Sequence, residues 1–420
     1  MFNQIDHPSI PFMSGPFTED GEQVEWDSIS NVTIDGGILD MNGSLNAEGT
    51  KPQKLPLINS SGGFALGYCS NITLKNMTMK NAFNGHAIQL ANVTNVIIEN
   101  CSFEGQSLPA DAKDSSVITK ELIQIEPGTR KGFPYSANEN KKATSRAVIK
   151  DCYFGKSDEC GEPVTFIGTH SQPEDVEKCN NISITGNTFD NPYYCGIRFC
   201  GYDKVGINNN TFLSKKAEDS VQKRDGGRVM INAFCYNDKA KEPVVPNSNI
   251  SIVNNTMDIA DSGCRGIRIA RDDNAQYIPV GFQIIKNEIR AGFSDNESGI
   301  HANRVEDAVI KENKVTGFKT GILLDKVSEG ITVYDNCVWG SGSNNMNMRN
   351  CGAKNGLAGN VNVKTNGNGT LDINTVDDYF SINAKASQGS HFVQWSSGVV
   401  EPKISVLKGD AITLTAQFEE

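Results

Sequence analysis

One short phrase recurs along most of this 420-residue chain. In each copy an alternating apolar segment carries a polar residue five positions after its first apolar residue, as in 205–212 (VGINNNTF) and 308–315 (AVIKENKV). The consecutive asparagines at that position are Asn187, Asn210, Asn255, Asn287, Asn313 and Asn336, and upstream the same frame carries Cys152, Cys101, Met77 and Gly37. Such a unit cannot bury its apolar side alone, so successive copies must stack on one another.

The spacing between copies identifies the type of repeat. Asn187 and Asn210 are 23 residues apart, as are Asn313 and Asn336. At about 3.3 Å per residue, such a segment holds three short strands and their bends, which is one coil of a parallel β-helix. Stacked Asn side chains bond to one another, and Asn tolerates the left-handed conformation of a sharp corner. We therefore predict an all-β, right-handed, single-stranded parallel β-helix with an Asn ladder.

These phrases resemble the coils of right-handed parallel β-helix proteins, namely pectate lyases, polygalacturonase-like glycoside hydrolases and bacteriophage tailspikes. The resemblance covers about residues 32–363 and implies the fold, which carries lyases, hydrolases, epimerases and adhesins alike. The chain has GHA at 85–87 and GIRI at 266–269, but it lacks the in-register D-D of the polygalacturonase-like enzymes. It also lacks the clustered Asp residues with which pectate lyases bind calcium.

Composition and charge restrict the partners and the location. The net charge of −11 argues against a nucleic-acid partner, and no apolar stretch is long enough to span a bilayer. No signal peptide is visible in the first residues. Because Val32 enters the repeat with little before it to cap the first coil, we expect a secreted or cell-surface protein whose export signal and first coils are absent from this chain. A cytoplasmic protein is the alternative.

The eleven cysteines do not suggest disulfides or a metal site. Cys101 and Cys152 occupy the ladder position in consecutive copies, and Cys337 follows Asn336 directly, so we expect small core-filling side chains. The chain contains no CxxC pair and no His/Cys cluster at metal-ligand spacing. We therefore predict no metal and no cofactor.

The last part of the chain differs in character. Residues 377–420, with Phe392, Trp395 and the closing ITLTAQF, resemble the small all-β repeats appended to bacterial surface and secreted proteins. We predict two domains, a carbohydrate-active β-helix over 1–365 and a small β module over 377–420, with NGNG at 366–369 as the linker.

Alternation in a second strand of each coil predicts a line of outward polar side chains. Such Gln, Arg and His side chains can hold hydroxyls and carboxylates, and the arginines favour an anionic sugar, so we predict a polysaccharide or oligosaccharide partner. The predicted binding residues are His86, Gln89, Gln124, Arg198, Tyr202, Arg268 and His301, with Glu126 and Asn232 beside them. An inserted loop at 127–145 adds Phe133 and Tyr135 as aromatic tips for stacking on sugar rings.

Glu126 is the predicted catalytic carboxylate, with Glu121 as its nearest partner. Glycoside hydrolysis requires two carboxyl groups about 5–9.5 Å apart. Glu121 begins and Glu126 ends the same short strand, so they would lie about 16 Å apart if the strand were fully extended. The second carboxylate could therefore come from Asp158, Glu162 or Asp203.

A narrower resemblance adds candidates. The segments GHAIQL, ELIQIE and FIGTH are similar to those of uncharacterised β-helix proteins with predicted glycosidase activity. The resemblance implies site roles for His86, Glu121, Gln124, Glu126 and His170.

The predicted function is an extracellular enzyme that hydrolyses glycosidic bonds with carboxylates. A lyase or epimerase is one alternative, with Arg198 or Arg268 neutralising a uronate carboxylate and His170, His301 or Tyr202 acting as base or acid. A noncatalytic glycan-binding surface protein is the other. A homo-oligomer also stays open, because trimers are common among tailspike-like proteins.

Overall fold

The computed structural model describes residues 12–14, 29–41, 62–107, 120–129, 133, 139–170, 172–215, 228–235, 245–271, 278–292, 296–326, 330–340, 344–349 and 359–420. All regular structure in these ranges is β-strand, and the strands up to residue 366 stack in parallel, coil upon coil. The predicted right-handed parallel β-helix is therefore confirmed. Within the same ranges, no helix is long and apolar enough to cross a membrane.

Three parallel ladders of strands enclose the core. The first sheet contains β2 (Ile29–Asp35), β9 (Ser145–Lys150), β12 (Cys179–Thr185), β15 (Tyr202–Asn208), β18 (Ser248–Val253), β21 (Val280–Ile285), β24 (Glu306–Lys311) and β27 (Thr332–Tyr334). The second contains β3 (Ile38–Asp40), β5 (Thr78–Phe83), β7 (Ser102–Ser107), β10 (Tyr153–Gly155), β13 (Thr188–Asp190), β16 (Thr211–Ser214), β19 (Thr256–Ile259), β22 (Glu288–Ala291), β25 (Lys314–Thr316), β28 (Cys337–Trp339) and β30 (Val361–Asn366).

The third sheet carries the candidate site. Its strands are β1 (Phe12–Ser14), β8 (Glu121–Glu126), β11 (Thr165–Gly168), β14 (Cys195–Phe199), β17 (Val229–Cys235), β20 (Arg265–Arg271), β23 (Ser298–Asn303), β26 (Thr320–Asp325) and β29 (Asn344–Arg349). Two longer strands, β4 (Phe64–Lys75) and β6 (Ile88–Glu99), pair with strands of both the third and the first sheet.

The Asn ladder lies at the corner between the first and second sheets. Nδ2 of Asn210 donates to Oδ1 of Asn255 at 3.0 Å and to the carbonyl of Ile184 at 2.9 Å. The same bonds join the other five predicted asparagines and extend to Asn360, which has no alternating phrase to mark it. The ladder satisfies buried backbone groups that the corner would otherwise leave unpaired.

The upstream positions continue the ladder with sulfur. The backbone N–H of Cys152 donates to Oδ1 of Asn187 at 2.9 Å, and that of Cys101 donates to Sγ of Cys152 at 3.5 Å. The left-handed conformation, which we had expected at the ladder asparagine, belongs to the residue before it, as at Asn209 (φ 57°) and Asn254 (φ 56°). Cysteine is therefore tolerated at the ladder position because no positive φ is required there.

The core is narrow and stacked. Phe103, Phe154, Phe189 and Phe212 lie one above another, with successive ring centroids 4.8, 4.9 and 4.7 Å apart. The ten described free cysteines are all buried, as expected for core-filling side chains. Each coil thus buries its apolar side chains against the coils on either side of it.

The C-terminal segment packs against the end of the β-helix. Strands β31 (Gly369–Val376), β32 (Tyr379–Ala386) and β34 (Lys403–Leu407) form an antiparallel sheet, and β33 (His391–Trp395) pairs with β35 (Ile412–Glu419). Strand β35 pairs in parallel with β30, so it continues the second sheet. Trp339 and Val361 share one apolar cluster with Phe380, Trp395 and Phe418.

The predicted linker is a tight turn. Strand β30 ends at Asn366 and β31 begins at Gly369, and the φ of Gly367 is 93°. A side-chain Cβ at Gly367 would lie 2.2 Å from the carbonyl oxygen of Phe418, so only glycine fits this close approach. The C-terminal strands therefore cover the last coil directly, as the end of a solenoid requires.

Candidate functional site

The outward polar line predicted from alternation forms a continuous column on the third sheet. Strand register places Gln89, Gln124, Gly168, Arg198, Asn232, Arg268 and His301 on successive strands at one position. We call this set the groove column. Neighbouring members are about 4.8 Å apart along the stack, so distant residues become direct neighbours. Asn232 lies within the line and not beside it.

A glycine interrupts the column at one point. A Cβ added to Gly168 would lie 2.5 Å from the carbonyl oxygen of Arg198 and 2.8 Å from Cγ of Glu121. Glycine is therefore required where the Glu121 side chain crosses toward Arg198.

The groove column is not uniformly open. Gln89, Gln124, Arg198 and Asn232 are buried, whereas Arg268 and His301 are half-buried. The first four side chains therefore point away from the core, as predicted, but are not exposed to solvent. Glu126 is also buried, with an exposed fraction of 1%, and Glu121 has 0%. These side chains lie outside the apolar core but are covered by other parts of the chain.

The segment after β11 covers Glu126. The backbone N–H of His170 donates to Oε1 of Glu126 at 2.8 Å, and its Nδ1 lies 3.0 Å from the same oxygen. Nε2 of Gln172 donates to Oε2 of Glu126, and Nε2 of Gln124 lies 2.9 Å from Nδ1 of His170. The predicted residues Gln124, Glu126 and His170 therefore meet in one hydrogen-bonded cluster.

The pKa values of Glu126 and His170 shift in opposite directions. Burial favours a raised pKa for Glu126, but the hydrogen bonds and charge of His170 outweigh it and hold the pKa below its usual value. Burial also disfavours charge on His170, yet the hydrogen bond to Glu126 and the charges of Glu121 and Glu126 raise its pKa. The two shifts therefore favour a negative charge on Glu126 and a positive charge on His170. A general acid for glycoside hydrolysis needs the opposite shift.

The other predicted carboxylate, Glu121, forms a second buried ion pair. One terminal nitrogen of Arg198 donates to Oε1 of Glu121 at 3.1 Å and to the carbonyl of Thr169 at 2.9 Å. The guanidinium also lies 4.2 Å from the ring centroid of Phe234. Nδ1 of His86 is 2.5 Å from the carbonyl oxygen of Glu121, and burial lowers the pKa of His86 to about 4. His86 is therefore neutral at physiological pH and donates through Nδ1.

Two residues predicted to contact a ligand are buried: Tyr202 lies in the main core and Phe133 in a separate apolar cluster. Tyr202 is buried at the start of β15, its hydroxyl donates to the carbonyl of Ile125 at 2.9 Å, and its ring stacks on Phe199. Phe133 is also buried, edge-on to Tyr68 at 5.9 Å, so it is not the exposed tip that we expected. Tyr135 lies outside the described residues.

The alternative carboxylates are engaged elsewhere or exposed. Asp158 is exposed, Glu162 accepts a hydrogen bond from Asn191 at 3.1 Å, and Asp203 accepts one from Ser248 at 2.7 Å on the first sheet. None of the bonds of Glu162 and Asp203 among the described residues reaches the Glu126 cluster.

Sequence reasoning missed a second outward line on the third sheet. Three residues before the groove column, the register aligns Glu121, Thr165, Cys195, Val229, Arg265 and Ser298. The sequence gives only a weak indication of this line, because its residues are of mixed polar and apolar types. Several atoms of the two lines and of Asn303 have no hydrogen-bond partner among the described residues, namely Oε2 of Glu121, Oε1 of Gln124, Oγ1 of Thr165, both amide atoms of Asn232, Nε of Arg268, Oγ of Ser298 and Oδ1 of Asn303.

Buried polar atoms without partners are rare in folded proteins, so we expect ordered water beneath the cover of this face. Within the described residues, no group of three or more His, Cys, Asp or Glu is arranged to hold a metal ion. The half-buried Arg268 gives this face a cationic group.

No family model matches the chain. It is 44% identical over 338 residues to the plasmin and fibronectin-binding protein A of Streptococcus pneumoniae (strain ATCC BAA-255 / R6), a match that covers 80% of this chain and 47% of the relative. The chain thus spans about half the length of this curated relative.

Two solved structures of PfbA, a surface adhesin of Streptococcus pneumoniae, share the fold. One matches with a TM-score of 0.73 and 39% identity, covering 91% of this chain and 83% of that chain. The other matches with a TM-score of 0.72 and 40% identity, covering 84% and 82%. This similarity confirms the predicted cell-surface location, although it does not confirm membership of the pectate lyase superfamily. The chain belongs to the family of the surface adhesin PfbA.

Proposed function

We propose that this chain is the adhesive part of a bacterial surface protein, and that it binds a host extracellular glycoprotein without altering it chemically. The observation that carries the proposal is the identity of 39–44% to a surface adhesin over most of the chain. It favours the binding alternative of the sequence analysis over hydrolysis.

The geometry of the carboxylates supports binding without turnover. Glu121 is held by Arg198, and Glu126 is held by His170 and Gln172. Hydrolysis needs one carboxylic acid that releases a proton to the leaving group, and the lowered pKa of Glu126 disfavours that role. Both carboxylates instead stabilise the buried end of the groove column.

The partner class follows from the relative. The pneumococcal protein is named for binding plasmin and fibronectin. For a chain with a net charge of −11, association with such proteins depends on local complementarity, because the overall field is anionic. Arg268, at the half-buried end of the groove column, supplies such a local positive charge.

The test is direct binding followed by product analysis. The purified chain is passed over immobilised plasmin and immobilised fibronectin, with casein as an unrelated protein control. The chain is also incubated with a glycan panel, and new reducing ends and unsaturated products are measured. Saturable binding to either host protein without products supports the proposal. Reducing ends that disappear in Glu126→Gln would show a hydrolase instead.

A further inference from the structure

We propose that Cys101 and Cys152 are a disulfide-forming site, which joins two consecutive coils of the β-helix covalently once the chain is exported. Both cysteines are free thiols in the structure. Disulfides form and persist at cell surfaces, where thiols are not kept reduced. The proposal goes beyond core filling, and it does not depend on the adhesive function.

The backbone places the two cysteines side by side. The register pairs Ser102 with Tyr153, so the residues before them, Cys101 and Cys152, are neighbours in the ladder. The N–H of Tyr153 donates to the carbonyl of Cys101 at 2.9 Å, which holds this alignment. Neighbouring strands are about 4.8 Å apart, and a disulfide spans Cα atoms about 4.4–6.8 Å apart. The bond therefore needs no large movement of the backbone.

The two sulfur atoms lie close together. The backbone N–H of Cys101 donates to Sγ of Cys152 at 3.5 Å. A hydrogen bond between the two thiols lowers the pKa of Cys101 and raises the pKa of Cys152. Sγ of Cys101 also donates to the carbonyl of Glu99 at 3.3 Å. A rotation about the Cα–Cβ bond of Cys101 releases that contact and brings the two sulfur atoms together.

The rest of the ladder shows what two stacked thiols lack. At Asn187 both the backbone N–H and Nδ2 donate to Oδ1 of Asn210 at 3.0 Å. A thiol is a weaker donor and a weaker acceptor than an amide, so the stacked cysteines give up much of this bonding between coils. A covalent bond between them restores the connection.

The position of the pair in the sequence favours a cross-link. Cys101 and Cys152 are 51 residues apart, which is the longest interval between consecutive ladder positions, whereas Asn187 and Asn210 are 23 apart. Closing a longer loop costs the unfolded chain more conformational entropy. A cross-link at this point therefore stabilises the fold more than one between coils of the basic length.

The oxidation is an exchange with an external disulfide, which is the oxidant. The Cys101 thiolate attacks one sulfur of the oxidant, forms a mixed disulfide and releases one thiol. The Cys152 thiolate then attacks Sγ of Cys101, forms the Sγ–Sγ bond and releases the second thiol. The two cysteines lose two electrons and two protons, and the oxidant gains them. Both cysteines are 3% exposed, so the exchange takes place before the coils close over them.

The experiment compares the full chain produced in an oxidising bacterial periplasm and in a reducing cytoplasm. Free thiols are alkylated in denaturant, and unreduced peptides are mapped by mass spectrometry. We expect a linked peptide pair containing Cys101 and Cys152 in the periplasmic sample alone, with a melting temperature higher by about 3 °C or more. Complete alkylation of both cysteines in that sample, linkage of either one to a different cysteine, or equal melting temperatures would overturn the proposal.

Two variants separate this pair from the other cysteines. Cys101→Asn/Cys152→Asn extends the Asn ladder through the site, so this variant should fold and melt at the same temperature from both compartments. The matched control Cys337→Ala removes a buried cysteine whose strand neighbours are Lys314 and Val361, and it should keep the difference. A difference that persists in the double variant would assign the stabilisation to other cysteines and reject the site.

Discussion

The two ends of the groove column are built on different strands of the same sheet and differ in how their charges are satisfied. At the closed end, Glu121 pairs with Arg198, and Glu126 pairs with His170, all within the described chain. At the open end, Arg268 and Asn232 carry polar atoms without partners in the described chain. A periodic scaffold can therefore use one outward position for stability in one coil and for recognition in another.

The difference has a clear energetic meaning. Breaking a buried ion pair is costly, because removal of one partner leaves the other charge buried and unpaired. An unfilled polar group is a cost that a ligand relieves on binding. We therefore expect substitutions that break a pair at the closed end to lower stability, and those at the open end to leave it unchanged or raise it.

The largest expected effect is at Arg198. Arg198→Met leaves the buried Glu121 carboxylate without its guanidinium, so the free energy of unfolding should fall by about 3–5 kcal/mol. Denaturant unfolding of the purified chain measures it. The double variant Glu121→Gln/Arg198→Met should recover most of the loss. A fall of less than about 1 kcal/mol in the single variant would mean that the closed end is not held by this pair.

The second expected effect is a pH dependence at Glu126 and His170. The raised pKa of His170 makes its contribution complete below its unfolded pKa of 6.5, and that contribution is lost as pH rises through the folded pKa. The lowered pKa of Glu126 makes its contribution complete above 4.5, and it is lost as pH falls through the folded pKa. Between those values the pair stabilises the fold most.

Thermal unfolding of the wild type and Glu126→Gln across the pH range checks this. The gap in melting temperature should be widest between pH 4.5 and 6.5 and should narrow as the solution becomes alkaline. A difference in melting temperature that is constant with pH would show that the ion pair does not stabilise the fold. It would leave the bond from Gln172 as the main support of Glu126.

The fold and the groove column were predictable because both depend on the repeat. The ladder from Asn187 to Asn336 follows from a fixed offset, and alternation within a strand sets which side of the sheet Arg198 and His301 occupy. Stacking then converts equal strand positions into neighbours. These features need only local residue type and the period of the coil.

The closed state of Glu126 was not predictable, because it depends on one nonrepeating contact. The segment containing His170 and Gln172 leaves β11 and folds over Glu126, and no periodic signal marks it. Tyr202 was misplaced for a related reason. It opens its strand at a corner, where alternation does not yet decide whether a side chain faces the core.

A third prediction concerns the sign of a stability change at Asn232. Asn232→Val removes an amide that has no partner among the described residues, so the free energy of unfolding should rise by about 1–3 kcal/mol. The same change at the ladder residue Asn255, whose amide bonds to Ile207 and Asn287, should lower it. Denaturant unfolding of both variants compares them. Loss of stability at Asn232 would show that its amide is satisfied within the protein.

The smallest expected effect is at Arg268, and it is the sharpest comparison with Arg198. Both arginines occupy the groove column two strands apart, but Arg268 takes part in none of the ion pairs of the described residues. Arg268→Gln should therefore change the free energy of unfolding by less than about 0.5 kcal/mol. Denaturant unfolding beside Arg198→Met measures the contrast. A loss similar to that of Arg198→Met would mean that Arg268 also supports the fold, and the two ends of the groove column would then be alike.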